Sequence, residues 1–531
     1  MSLPKRNNPY NFDDFLSRRN RFDYFADDPW LQKVVKHFAG NDWQTVDEAA
    51  RKLSLKASFR WRDLAAAAAL PEHRPSILHF DGHHHRIDRI VRPMETRVME
   101  KEIFAEALFS EKTTLWERLV KMFLIYQNGE ACIACPVTCT EGLVAILECF
   151  ADTHETRQIL AHCKEGIDGD FAIGAQYLSE IQGGSDVPAN LLEAVQEGTT
   201  WKLYGTKFFC SATHADYAVV TAKPLGSEKV GIFVVPSWMP GDKVKEIRNG
   251  CTIDRIKWKM GTSELTTGEM TFNGAVAYPV GPFDRGLANV VGIVLTYSRL
   301  TVGLSGAASM TRAAREAKMY SEFRTAFGRE LKEFPMVAGQ LAELEQSAGR
   351  ATAAAFKIYG KFLQLDGKVK TAINPAEPLD LQKKRFDVRQ LVMLQKITAS
   401  RDAVDQLRLA MSIFGGHGVM EDFSSLPRLY RDAAVNELWE GPRNVLLSQI
   451  HRDLQQMQAV YKPAEFVGNL LAGADNSLVS AFKEEIEELV RHPDLSENTG
   501  TTRKICRQWD DFCHRFFHAY QDLAVNGVNN K

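Results

Sequence analysis

The sequence predicts an α+β protein whose helical and β-rich parts are segregated along the chain instead of alternating. Up to about residue 170, and again from about 286, apolar residues recur at three- and four-residue spacing, the signature of amphipathic helices. Between 171 and 285 the runs are short, alternating and rich in β-branched and aromatic residues, with Gly, Pro, Asn and Asp between them. The block order helix, strand, helix excludes a doubly wound nucleotide-binding fold. At 531 residues the chain also exceeds what one hydrophobic core supports.

The first block, 1–170, reads as mostly helical, with PWLQKVVKHFAG, TVDEAARKL and the long stretch METRVMEKEIFAEALFSEKTTLWERLVKMFLIYQ. The second, 171–285, carries WKLYGTKFF, YAVVTAK, VGIFVVPSW and EMTFNGAVAYPVG as strands. The third, 286–455, returns to long helical runs, broken at Asn374-Pro375 and Glu377-Pro378. The fourth, 456–531, is helical and polar and begins around Lys462-Pro463.

Composition narrows the function. Hydrophobic content of 45%, charged content of 25% and a formal net charge of −2 offer no general basis for binding nucleic acid or an anionic membrane. No apolar run is expected to span a membrane. The N-terminus lacks the apolar core of a secretory signal and carries Asp13 and Asp14, so a cytoplasmic protein is expected. Nine scattered cysteines suit a reducing compartment. Cys132, Cys135 and Cys139 sit in a small-residue apolar stretch without a second pair at zinc spacing, which favours a buried helix over a metal site. The His83-His84-His85 run follows an Asp-Gly turn signal and reads as a solvated loop. No metal ligand set is expected.

Three stretches carry chemistry. In Gln176-Tyr-Leu-Ser-Glu-Ile-Gln-Gly-Gly-Ser-Asp186 two glycines form a turn able to approach a phosphate or a flat ring, though such loops are common. Ile413-Phe-Gly-Gly-His-Gly-Val419 ends a helix; spacing alone favours a cap over a cofactor contact. In LPRLYRDAAVNELWEGPRNVLL, Glu440 lies between Trp439 and Gly441-Pro442, where a helix pattern breaks. A carboxylate among apolar groups has a raised pKa, as a general base near neutrality needs; the alternative is an exposed loop glutamate. No GxGxxG follows a strand, so any nucleotide cofactor is held without a Rossmann site.

Together these motifs resemble the acyl-CoA dehydrogenases over roughly residues 100–455. Ser179-Glu180-Ile-Gln-Gly-Gly184-Ser185-Asp186 is similar to that family's Thr-Glu-Pro-x-x-Gly-Ser-Asp loop, and Lys207-Phe-Phe209-Cys-Ser211 to its Lys-x-Trp-Ile-Thr strand. Arg299, Arg324-Thr-Ala-Phe327-Gly328, Gly415-Gly416-His417-Gly418, Tyr430-Arg431-Asp432 and Glu440-Gly441-Pro442 match later motifs in register. Pro442 replaces a family threonine, and Ser412 and Pro335 replace glutamines. The Pro335 position, WEG-x-x-N, LPRLYR and the Cys-Pro-x-Thr-x-Thr run look closer to the large branch that contains the alkylation-response protein AidB.

The resemblance implies an N-terminal helical domain, a middle β-barrel, a C-terminal four-helix bundle and an additional helical segment. It implies FAD as cofactor, with Tyr177, Leu178 and Ser179 lining the isoalloxazine and Gly184 and Ser185 near the pyrophosphate. Phe209 would stack near the flavin, and Ser211 would reach the surroundings of N5. Arg324, Phe327, Gly415 and Gly416 would contact the adenosine half across a subunit boundary, and Asn436 would close over the cofactor. Arg299 is expected on the substrate, and Glu440 is the implied base for the α-proton of an acyl-CoA. An electron-transfer flavoprotein as acceptor and a homodimer or homotetramer follow from the same resemblance. The alternatives are an AidB-like, DNA-associated stress flavoprotein and an oxidase that uses O2. Nucleic-acid binding is disfavoured because residues 460–531 carry eight Lys/Arg against eleven Asp/Glu.

Overall fold

The computed structural model describes residues 10–530; residues 1–9, on which part of the leader reading rests, lie outside the described residues. The N-terminal helices are α1 (Asp13–Arg21), α2 (Pro29–Ala39), α3 (Trp43–Leu55) and α4 (Trp61–Ala68). Helix α2 starts where the sequence says it should: Asp28 accepts from the Leu31 amide, and Pro29 occupies the first turn. A hairpin, β1 (Ser76–Phe80) and β2 (Arg86–Val91), interrupts this largely helical block, with the three histidines at its exposed turn. It leans on the middle domain, since Asp88 accepts from the Ile253 amide at 3.0 Å and Arg89 pairs with Glu246.

The long stretch 94–127 is two helices, α5 (Met94–Phe104) and α6 (Leu115–Tyr126). Ala107 turns left-handed at φ 50°, and a capping box between Thr114 and Glu117 restarts the helix. Helices α7 (Ala134–Phe150) and α8 (His154–Glu165) complete the block. The three cysteines near the start of α7 are buried and free of disulfides.

Strands β3 (Gly174–Tyr177), β4 (Glu193–Glu197), β5 (Thr200–Ser211), β6 (Tyr217–Pro224), β7 (Gly231–Pro236), β8 (Cys251–Ile256) and β9 (Thr267–Pro279) form the middle domain. Their ladder runs β6-β4-β5-β9-β7 and returns to β6, closing a barrel; β3 adds in parallel onto β6 and β8 antiparallel onto β9. Closure removes most of the open edges that a sheet of this size would otherwise expose.

The C-terminal bundle comprises the short α9 (Gly286–Asn289), α10 (Leu295–Phe323), a two-residue-strand hairpin of β10 (Thr325–Ala326) and β11 (Arg329–Glu330), α11 (Pro335–Leu363) and α12 (Leu379–Phe414). Two shorter helices follow, α13 (Leu426–Asn436) and α14 (Arg443–Met457). Residues 283–323 are long and apolar enough to cross a membrane, with a window of mean hydropathy 1.4 that the sequence reading missed. That window is 72% buried within the protein, so this is the bundle's central helix. Gly306 lets it touch α12, because a Cβ there would sit 2.8 Å from the Ala399 carbonyl oxygen. The last segment holds α15 (Pro463–Leu470), α16 (Asn476–Val490) and α17 (Gly500–Asn529). Helix α17 lies against α11, α12 and α2, and Trp509 donates to the Leu447 carbonyl at 2.9 Å.

Candidate functional site

Glu440 lies in the turn between α13 and α14, with φ at +57°; Gly441 follows at +98°. A non-glycine residue in the left-handed region costs on the order of 1–3 kcal/mol, so the surroundings must enforce it. Two buried cations do so. Arg299 of α10 donates from Nε to the Glu440 carbonyl at 2.9 Å, and Lys396 of α12 donates from Nζ to Gly441 O at 2.7 Å and to Glu437 O at 3.2 Å. Any side chain at 441 would collide with Leu446, which is why glycine stands there. The Glu440 carboxylate is thereby directed into a cleft, where Oε2 is buried with no hydrogen-bond partner; the neighbouring Trp439 Nε1 is buried and unpartnered too.

Burial raises the Glu440 pKa, while the positive charges of Arg299 and Lys396 pull it back. The cations respond in kind: burial lowers Lys396 to about 7 and Arg299 to about 10.

The cleft is partly open to solvent, and the space free of protein atoms in it, that open solvent included, is about 610 Å³. Its walls include Tyr126, Cys135, Thr138, Thr301, Ser309 and Asn436. The Tyr126 hydroxyl lies 3.0 Å from Thr138 Oγ1, and Cys135 Sγ lies 3.7 Å from Cys139 Sγ. At one end Asp432 accepts from the Thr262 amide at 2.7 Å and the Glu130 amide at 3.1 Å, tying the β8–β9 loop and the approach to α7 onto α13.

The barrel edge supplies the second part. Lys207 of β5, fully buried, pairs with Glu180 at 2.7 Å and donates to Leu178 O at 3.2 Å, and the Phe208 amide donates to Ser179 O at 2.9 Å. These contacts latch the 178–186 loop to the barrel. Ser185, at the end of its glycine turn, makes no hydrogen bond among the described residues, and Phe209 leaves half of its surface exposed. Ser211 Oγ, Thr267 Oγ1, Lys259 Nζ and Thr262 Oγ1 form a hydrogen-bonded chain from the barrel edge to the cleft wall.

Two of the expected residues are turned away from the cleft walls. Tyr177 does not face this region: its ring is 2% exposed and its hydroxyl donates to Ala212 O, because the strand pleat sends Gln176 toward α7 and α10 and Tyr177 the other way. Arg299 is spent on the Glu440 backbone and does not line the cleft, so it positions the carboxylate. Of the other expected residues, Asn436 joins Glu440 in the cleft, while Leu178, Ser179, Gly184 and Ser185 share the latched loop. Arg324, Phe327, Gly415 and Gly416 lie outside the cleft, with Phe327 97% exposed at the tip of the β10–β11 turn. Lys396 escaped the sequence reading, although a lysine inside the apolar run LVMLQKITAS was a visible signal. Tyr126, Thr138, Thr301 and Ser309 carry no such signal, since only folding brings α6, α7 and α10 together.

Comparison with known proteins agrees with this architecture. Residues 17–164 match the family described as the adaptive response protein AidB N-terminal domain. Residues 175–275 match the acyl-CoA dehydrogenase middle domain, and residues 284–455 the acyl-CoA dehydrogenase C-terminal domain. Acyl-CoA dehydrogenase family member 11 of Caenorhabditis elegans is 25% identical over 491 residues, covering 88% of this chain and 73% of the relative. The putative acyl-CoA dehydrogenase AidB of Escherichia coli K12 is 24% identical over 464 residues, covering 82% and 79%. Among solved structures, the C. elegans ACDH-11 complex with C11-CoA superposes with a TM-score of 0.77 at 22% identity, over 96% of this chain and 91% of that one. An acyl-CoA dehydrogenase of Bacillus anthracis complexed with FAD gives 0.61 at 16% identity, over 90% and 87%. The three domain matches follow one another in the order of the helical, barrel and bundle units, and the chain belongs to the acyl-CoA dehydrogenase superfamily, in the branch with an AidB-type N-terminal domain.

Proposed function

We propose that this protein binds FAD and oxidises an acyl-CoA thioester between its α and β carbons, with Glu440 as the base. The observation that carries the reading is the buried, unpartnered Oε2 of Glu440 directed into a cleft by a strained turn that two buried cations hold in place. The barrel edge suits a flavin: a half-exposed aromatic at Phe209, an unpartnered Ser185 on a glycine turn, and Ser179 and Leu178 fixed by the Lys207–Glu180 pair. FAD and C11-CoA in the two neighbouring structures support the same reading.

A thioester α-proton is too weakly acidic for a carboxylate in water. In the cleft, desolvation strengthens Glu440 as a base, and Arg299 and Lys396 keep it from binding its proton too early. Glu440 takes the α-proton and the α-C–H electron pair becomes the new double bond, giving a trans-2-enoyl-CoA. When bound, FAD supplies the acceptor for the hydride leaving the β-carbon. Trp439 and Asn436 border the acyl group and exclude water. Phe327, Arg324 and the Gly415-Gly416 turn are proposed to meet the adenosine half of FAD held by a second subunit, so the working unit is a homodimer or homotetramer. An electron-transfer flavoprotein is the proposed partner for reoxidation.

Anaerobic absorbance titration with a panel of acyl-CoAs tests the reading. Bleaching of the flavin by at least one thioester, lost in Glu440→Gln, is the expected result. The AidB-type N-terminal match favours a second reading, a stress-linked flavoprotein with little turnover. A flavin that stays oxidised with every thioester would move that reading to first place.

A further inference from the structure

The C-terminal segment meets the bundle at a cluster that the proposed dehydrogenation does not use. His514 and His518 stand one turn apart on α17, and both face Asp402, a buried residue of α12. His518 Nε2 lies 2.8 Å from Asp402 Oδ2, and His514 Nε2 lies 4.0 Å from Asp402 Oδ1. The imidazole rings are 4.1 Å apart between centroids, and one ligand atom from each of the three residues lies within 4.8 Å of the others. His514 is the odd member. Its Nδ1 is buried without a partner, and its Nε2 lies 4.0 Å from Asp402 Oδ1, beyond hydrogen-bond range.

We propose that Asp402, His514 and His518 form a site for a divalent transition-metal ion of the zinc class, which ties the C-terminal segment to the bundle. Two imidazoles at i and i+4 on one helix with a carboxylate from another element are a borderline-soft donor set that suits zinc and not calcium or magnesium. Bonds of about 2.0–2.1 Å in a tetrahedron put neighbouring donors about 3.3 Å apart; the three donor atoms here lie within 4.8 Å of one another, so side-chain rotations that draw them together would complete the geometry. The ion replaces the hydrogen bond between His518 Nε2 and Asp402 Oδ2. The imidazole rims keep about a fifth of their surface in contact with solvent, which leaves the fourth position to water. Arg401 and Arg443 face the cluster and oppose a cation; Arg443 is engaged by Asp510 and by the Ile397 carbonyl.

The test uses the full-length protein, stripped with EDTA and titrated with Zn2+ against a chromogenic chelator, beside His514→Gln and His518→Ala. His514 makes no hydrogen bond whose loss would unfold the chain, so His514→Gln keeps the test valid should His518→Ala destabilise the fold. One tightly held equivalent in the wild type, weakened at least about tenfold in His514→Gln, with a zinc-dependent rise in Tm that the variant lacks, is the expected result. Absence of stoichiometric zinc in the wild type, or equal affinity in His514→Gln (as if the exposed His83–His85 turn were the binder), would overturn the proposal.

Discussion

At Glu440 the competing influences can be separated. Burial raises the carboxyl pKa and two cations lower it. A base acts only when deprotonated, so if Glu440 is the base, as proposed, the rate of flavin reduction should rise with pH as Glu440 loses its proton, with the acid limb above the ordinary glutamate range. Lys396→Met removes one cation and therefore raises the Glu440 pKa further. Stopped-flow pH profiles should show the acid limb displaced upward by about one unit, the scale of a close charge pair. An unmoved limb would mean that Lys396 only ties the turn. Glu440 was legible because Trp439-Glu440-Gly441-Pro442 breaks a helical pattern among apolar residues. Tyr177 and Gln176 point opposite ways because adjacent residues on a strand do, and the motif alone does not say which of them lies on the cleft side.

Under the proposed function the element that would hold the cofactor is the 178–186 loop, whose latch is the buried Lys207–Glu180 ion pair. Removing one partner of such a pair leaves an uncompensated charge, at a cost of about 3–5 kcal/mol. Lys207→Met is expected to lower the urea midpoint and to yield protein largely free of flavin, as read by absorbance per mole of chain. A variant with wild-type flavin content would show that the loop needs no latch. At this scale the runs of β5, β6, β7 and β9 and the loop at 374–378 were readable from periodicity and from Pro and Gly placement, whereas β3, β4 and β8 were not singled out. The β1–β2 hairpin and the break at 105–114 were not separated from their surroundings, although Thr114-Leu-Trp-Glu117 spells a capping box. Long apolar periodicity outweighed a four-residue signal.

For the whole molecule, the cleft lies where N-terminal, barrel and bundle segments meet, while Phe327 projects almost wholly into solvent. An exposed phenylalanine at a hairpin tip fits a second subunit. Sedimentation of the wild type should show a dimer or tetramer. Phe327→Glu should shift it toward smaller species and weaken FAD binding about tenfold, a moderate loss for an interface anchor. A monomeric wild type that retains FAD would contradict the shared site. The walls of the cleft come from segments more than a hundred residues apart, so no single-sequence pattern marks Tyr126 or Ser309 as neighbours of Glu440.

The central claim is that Glu440 removes the α-proton. Anaerobic rapid mixing of an acyl-CoA that bleaches the wild-type flavin, unlabelled and α-deuterated, tests it most directly. The wild type should show a primary isotope effect on flavin reduction, and Glu440→Gln should slow that step by at least about 100-fold, the contribution of a positioned general base. Glu440→Gln protein that holds its flavin and is reduced at the wild-type rate would contradict the assignment of the base.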